Sequence, residues 1–133
     1  MKKVIYILLL FAYFQVSGQK TYSKEYFENG KLKSEGWLNQ NKKVDYWFYY
    51  FENGNKKEEG HFINNKKCKW WIFYNSNEEI KKKCEFENDQ INGFSIFYRN
   101  SQIIKAEKYF MGKKIKQWNS VSEFKKDNKL NFL

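Results

Sequence analysis

The sequence predicts an all-β protein in which antiparallel β-hairpins repeat with a 24-residue period to form one long twisted meander sheet. Three observations predict it. The chain aligns with itself without gaps at a shift of 24 residues, short aromatic runs recur at that spacing, and Asn-Gly turn signals follow them. "YFENGKLKSEG" from Tyr26 to Gly36 returns as "YFENGNKKEEG" from Tyr50 to Gly60.

The columns of the repeat define each element. Tyr26, Tyr50, Tyr74 and Tyr98 share one column, and Tyr46, Trp70, Phe94 and Trp118 share another. Runs such as YWFYYF (46 to 51) and KWWIFY (69 to 74) are too short for a typical helix and rich in β-formers, so they read as strands. Asn29-Gly30 and Asn53-Gly54 end these runs, and both residue types tolerate positive φ, the requirement of a tight hairpin. The following stretch, NKKEEGHF at 55 to 62, alternates as a second strand, and Asn64-Asn65 reads as a second turn. One unit is therefore two strands and two turns, and neighbouring units stack into a continuous sheet.

Strand alternation assigns the faces. Tyr46, Phe48 and Tyr50, with their equivalents, predict the buried face, joined by the columns of Leu38 (Phe62, Phe86, Phe110) and Leu32 (Lys56, Ile80, Ile104). The opposite, solvated face is expected to carry Lys33, Lys57, Lys81 and Lys105 beside Glu35, Glu59, Lys83 and Glu107. The aromatic strand is apolar on its second side too, at Trp47, Tyr49, Trp71 and Phe73. Either further packing covers that side, or it stays exposed as a contact surface. After Trp118 the repeat ends. Ser120-Val-Ser-Glu123 has the spacing of a capping box, so residues 119–133 are expected to form a short helix over the open sheet edge, or a tail.

The chain begins with Lys2-Lys3, an apolar run from Val4 to Phe14 and small or permissive residues at Val16, Ser17 and Gly18. This is the layout of a secretory signal peptide over 1–18, with cleavage expected after Gly18 and no transmembrane anchor left behind. Eleven helical residues would span roughly 17 Å against a hydrocarbon core of about 30 Å. Residues 19–118 then form the repeat domain, in a periplasmic or secreted protein. Loss of the leader removes two lysines and no acids, lowering the formal charge from +10 to +8. Nucleic acid is not the expected partner, because Arg99 is the only arginine and bidentate recognition leans on guanidinium groups. Weak attraction to an anionic envelope surface is what such a lysine-rich exterior does allow.

The order aromatic strand, E-N-G, x-K-x-E-G, aromatic-x-N-x-K-K resembles the MORN-like repeat of bacterial proteins in the YwqK antitoxin-component family. The likeness runs from about Tyr22 to Trp118 and is fullest in YFENGKLKSEGWLNQNKK and YFENGNKKEEGHFINNKK. It decays where Asn77-Glu78 and Ser101-Gln102 replace Asn-Gly, and where Cys84 and Lys108 replace Gly36 and Gly60, so looser late turns are expected. The resemblance implies a repeated hairpin sheet that binds protein without catalytic machinery, with toxin neutralisation or immunity as one form of that role.

Cys68 and Cys84 are the only cysteines. A turn near Ser76-Asn77 places them nearly opposite on neighbouring strands, which in an exported chain predicts a cross-strand disulfide; two thiols on different faces are the alternative. With one histidine, His61, they lack the spacing of a closed metal site. No nucleophile with a base, carboxylate pair or phosphate-cradling glycine loop stands out, so neither catalysis nor a cofactor is expected. The expected function is an exported, non-enzymatic scaffold for an unidentified protein partner. Trp47, Tyr49, Trp71 and Phe73 would make the contact, with Lys57 and Lys81 adding electrostatic steering. Binding of anionic envelope lipid or polysaccharide, and a purely structural role, are the alternatives.

Overall fold

The computed structural model describes residues 18–128, so all but the last residue of the expected leader lies outside the described residues. Nine strands form one sheet in chain order: β1 (Thr21–Tyr26), β2 (Leu32–Asn39), β3 (Lys42–Tyr50), β4 (Lys56–Ile63), β5 (Lys66–Tyr74), β6 (Ile80–Glu87), β7 (Gln90–Arg99), β8 (Gln102–Phe110) and β9 (Lys113–Trp118). Each pairs antiparallel with the next, and one helix, α1 (Val121–Asn128), follows. The all-β hairpin meander is the fold.

Two kinds of connection alternate. Gln40-Asn41, Asn64-Asn65, Asn88-Asp89 and Met111-Gly112 are two-residue turns with both residues at positive φ, which matches the twist of the strands they join. The Asn-Gly pairs, by contrast, sit inside five-residue loops, not two-residue turns. Phe27 N–H donates to Lys31 O at 2.8 Å and Gly30 N–H to Phe27 O at 2.9 Å, a geometry that Phe51–Asn55 repeats. Only the glycine is left-handed there, at φ 80° in Gly30 and 95° in Gly54; the asparagine acts through its side chain, Asn29 Oδ1 accepting from Lys31 N–H at 3.0 Å. The third loop is no looser, because Glu78 takes the left-handed position at φ 62° and Asn75 makes the same backbone closures. The fourth is tighter still: Asn100-Ser101, both at positive φ, forms a two-residue turn.

That tight turn shifts β8 by one residue. Trp47 pairs with Gly60 and Trp71 with Cys84, so the repeat would set Ser95 opposite Lys108. Instead Ser95 pairs with Glu107, and Lys108 faces Phe94. A one-residue slip turns every side chain to the other face. Phe110, whose column mates Leu38, Phe62 and Phe86 pack into the core cluster, is 65% exposed.

The faces divide differently from the sequence expectation. Glu35 and Glu59 lie directly opposite Phe48, on its own face, whereas Leu38, Phe62 and Phe86 lie on the Trp47 side. Nor is the glutamate column solvated, since Glu59 and Glu107 are buried. Lys33, Lys57 and Lys81 owe their exposure to bulges: each is the residue that its strand register skips.

The core lies within this single layer. Trp47 is laid flat over Gly36 and Trp71 over Gly60, and an added Cβ would come within 2.3 and 2.4 Å of the rings. Phe62 stands edge-on between the two indoles, at 6.1 and 5.0 Å. A bulge supports each placement. Past Gly36 the pairing jumps from Trp47 to Val44, with Asp45 at φ 58°, and the indole N–H of Trp47 donates to Trp37 O at 3.0 Å. Past Gly60 it jumps from Trp71 to Cys68, with Lys69 at φ 60°, and Trp71 donates to His61 O at 3.1 Å.

The expected disulfide is absent, and both thiols are free. Cys84 pairs with Trp71, three residues along β5 from Cys68. That register does not set the two cysteines directly opposite each other, as a cross-strand bridge requires. The two also face opposite sides, Cys68 lying across from His61 on the Phe48 side.

Candidate binding surface

Of the side chains expected to touch a partner, Trp47 and Trp71 are 1% and 0% exposed, so they are core and not contact surface. Tyr49 and Phe73 are half-buried in the same cluster. Two lysines cover it: Lys43 Nζ lies 4.6 Å from the Trp47 ring and 2.8 Å from the Tyr49 hydroxyl, to which it donates, and Lys67 Nζ lies 4.0 Å from the Trp71 ring. Each amine stacks on rings whose edges are already packed, which closes this side of the sheet with a cation over an aromatic face. Lys57 and Lys81 are exposed but stand away from these tryptophans, at the bulges near the five-residue loops.

The opposite side carries the open aromatic surface. Tyr22, Trp37, Tyr46, His61 and Trp70 form a row across β1 to β5, level with the bulges. Tyr22 meets Trp37 edge-on at 5.1 Å, and Tyr46 meets His61 at 4.8 Å. Tyr22, Trp37 and Trp70 remain 44%, 40% and 39% exposed. The bulges that tuck Trp47 and Trp71 inward therefore hold their neighbours outward. Burial lowers the His61 pKa, the Lys69 charge adds to that, and Asp45 opposes it; the ring is held neutral to lower pH than a free histidine.

A polar footing fixes this face. Tyr50 donates to the Glu35 carboxylate at 2.8 Å and Tyr74 to that of Glu59 at 2.5 Å, while Lys24 and Lys56 pair with the same carboxylates at 3.6 and 3.4 Å. Burial, then the bonded glutamate, pushes both phenols well above the usual tyrosine range. Turns brace the row at both ends. Lys43 N–H donates to Asn65 Oδ1 at 2.7 Å and Lys67 N–H to Asp89 Oδ1 at 2.6 Å, while Asn55 Nδ2 donates to Ser76 O at 2.8 Å.

Beyond Trp70 the row runs into an apolar cleft of about 160 Å³ beneath α1, lined among others by Phe94, Ile96, Ile103 and Phe124. Half of the expected capping box forms: Glu123 N–H donates to Ser120 Oγ at 3.1 Å, but the Glu123 carboxylate accepts from Asn119 N–H, at 2.7 Å, and not from Ser120 N–H. Phe124 packs on Trp118 of β9 and Phe94 of β7, at 5.1 and 5.9 Å. The helix therefore lies over the face of the last strands and does not cap the edge of β9.

Among the described residues, no group of three or more His, Cys, Asp or Glu side chains could hold a metal ion, and no helix is long and apolar enough to cross a membrane. Sequence reasoning missed Trp37 and Trp70, and Lys43 and Lys67 as covers of the core. One signal was available. Glycine stands in column 36 wherever tryptophan stands in column 47, and the third unit changes both together, to Cys84 and Ser95. Such coupling marks the tryptophan as the inward residue of the aromatic run. A scan against protein-family models finds no match for the chain, and a search of the curated proteins finds none either.

Proposed function

We propose that the chain is an exported, non-enzymatic scaffold of the MORN-like, YwqK type, which binds another protein through the row Tyr22–Trp37–Tyr46–His61–Trp70. The observation that carries this reading is the pair of half-exposed indoles, Trp37 and Trp70, held in one row on a sheet that, among the described residues, has no second sheet over it. Indoles and phenols presented on a rigid backbone supply large contact area at small entropic cost, which is why such residues dominate binding hot spots. Toxin neutralisation in the envelope is one form this role takes.

The test compares the mature chain, Gln19 to Leu133, with a Trp37→Ser/Trp70→Ser variant in affinity capture from an envelope extract. Proteins retained by the wild type should be lost from the variant, while its urea midpoint moves little. Unchanged retention overturns the row as the contact surface. The lysines at the bulges, Lys33, Lys57 and Lys81, favour a second reading, attraction to anionic lipid or polysaccharide. That binding would vanish in about 1 M salt, where the screening length is about 3 Å, whereas an aromatic protein contact would persist.

A further inference from the structure

We propose that the free edge of β9 is a docking site for an acidic, extended segment of a protein partner, which joins the sheet as a tenth strand. The site uses the edge and not the Trp37–Trp70 row, so it stands or falls separately from the reading above.

The sheet ends on an unfinished unit. β3, β5 and β7 are each paired on both sides, and β9 is the fourth strand of that type by repeat position. Among the described residues no strand pairs with its outer side. The chain turns instead into α1, whose contacts through Phe124 run inward across the face to β7. The outward backbone N–H and C=O groups of β9 therefore keep the geometry of a strand template.

Charge selects the occupant. β9 reads KKIKQW, with Lys113, Lys114 and Lys116 exposed. Lys114 reaches Glu107 at 3.5 Å and Lys116 reaches Asp127, yet their side chains stay 47% and 51% exposed. Glu107 lies on the Trp47 side and α1 on the Phe48 side, so the lysines present positive charge on both faces of the edge. Two β9 edges brought together would align six lysines, which disfavours a second copy of this chain. A strand with carboxylates on both faces converts that repulsion into cross-strand pairs. Main-chain hydrogen bonds then supply affinity and the lysines supply selectivity. Apolar side chains stand beside the same edge: Ile115 is 59% exposed, and Phe110 and Met111, at the β8–β9 turn, are 65% and 60% exposed. β1, the other edge strand among the described residues, offers no such preference, because Lys24 and Glu25 balance within its six residues.

The test titrates the isotope-labelled mature chain with an N-acetylated Thr-Glu-Val-Glu-Glu-Val-Thr peptide and follows amide shifts and hydrogen exchange. The β9 amides should shift and gain protection, with binding lost in about 1 M salt. Lys113→Glu should weaken binding about tenfold or more, and Lys116→Gln should weaken it less. A peptide with lysine in place of glutamate should not bind, and Trp37→Ser/Trp70→Ser should bind the acidic peptide as the wild type does. Absence of binding, protection at β1 or at the aromatic row, equal affinity in Lys113→Glu, or self-pairing through β9 would each overturn the proposal.

Discussion

Gly36 lies beneath the indole of Trp47, so close that a methyl group on the glycine would meet the ring at 2.3 Å. Gly60 stands in the same relation to Trp71, at 2.4 Å. Neither glycine is needed for a left-handed backbone; each is needed for space. Gly60→Ala should therefore destabilise the fold by about 1–3 kcal/mol, the usual cost of overpacking, as a fall in urea midpoint at constant slope. The third unit already holds the alternative solution, Cys84 opposite Ser95. Gly60→Cys combined with Trp71→Ser should thus cost less than the sum of the two changes, with a coupling of about 0.5–3 kcal/mol. Additive costs would show that the two positions do not constrain each other.

The same pair explains what the sequence made legible. A gapless 24-residue period and alternating turns suffice for strand order, because each hairpin can pair only with its neighbours. Face assignment failed because a simple alternation cannot anticipate the one-residue bulges at Lys33, Lys57 and Lys81, which reset the phase within β2, β4 and β6. The bulges at Asp45 and Lys69 tuck Trp47 and Trp71 inward and leave Trp37 and Trp70 as the exposed indoles. The Cys68–Cys84 pairing is lost to the β5–β6 connection, whose Asn75–Glu79 loop and skipped Lys81 set Trp71 opposite Cys84. The slip of β8 was hidden for another reason: an ungapped sequence repeat does not oblige a turn to keep its length.

Phe62 and Phe110 occupy one repeat column but opposite environments, 7% and 65% exposed. Phe62→Ala should cost about 3–5 kcal/mol, as for a buried aromatic. Phe110→Ala should stay within about 0.5 kcal/mol, as for an exposed site. Urea unfolding of the two variants distinguishes the slipped register from a perfect repeat, in which both losses would be large.

Stability should fall at both ends of the pH range. The His61 pKa is lowered, first by burial and then by Lys69, so its contribution is intact above the ordinary value of 6.5 and disappears as pH falls through the folded value. Burial alone would raise the Glu107 carboxyl, but hydrogen bonds from Lys105 and Tyr109 and the Lys105 and Lys114 charges outweigh it and hold it low. Its contribution is present above 4.5 and lost in more acid solution. Tyr50 and Tyr74 are shifted the other way, by burial and then by their bonds to Glu35 and Glu59, so they favour the fold below 10 and oppose it as pH rises through their folded values. Urea midpoints across pH should show a first decline below about 6.5 that His61→Gln removes. Ultraviolet titration should show Tyr50 and Tyr74 ionising only with unfolding.

Cys68 and Cys84 should both titrate as thiols, whatever the oxidising power of the compartment, because they lie on opposite faces and are not paired with each other. Burial raises the pKa of each, more than nearby lysines lower it, so little reactive thiolate forms at neutral pH. Cys68, half-buried beside His61, should react slowly with iodoacetamide in the folded protein, whereas Cys84, 1% exposed under the Trp71 cluster, should react only after denaturation. Intact mass should be unchanged by reductant. A gain of two hydrogens on reduction would mean that the bridge forms, and with it that β5 and β6 pair in a register other than Trp71 opposite Cys84.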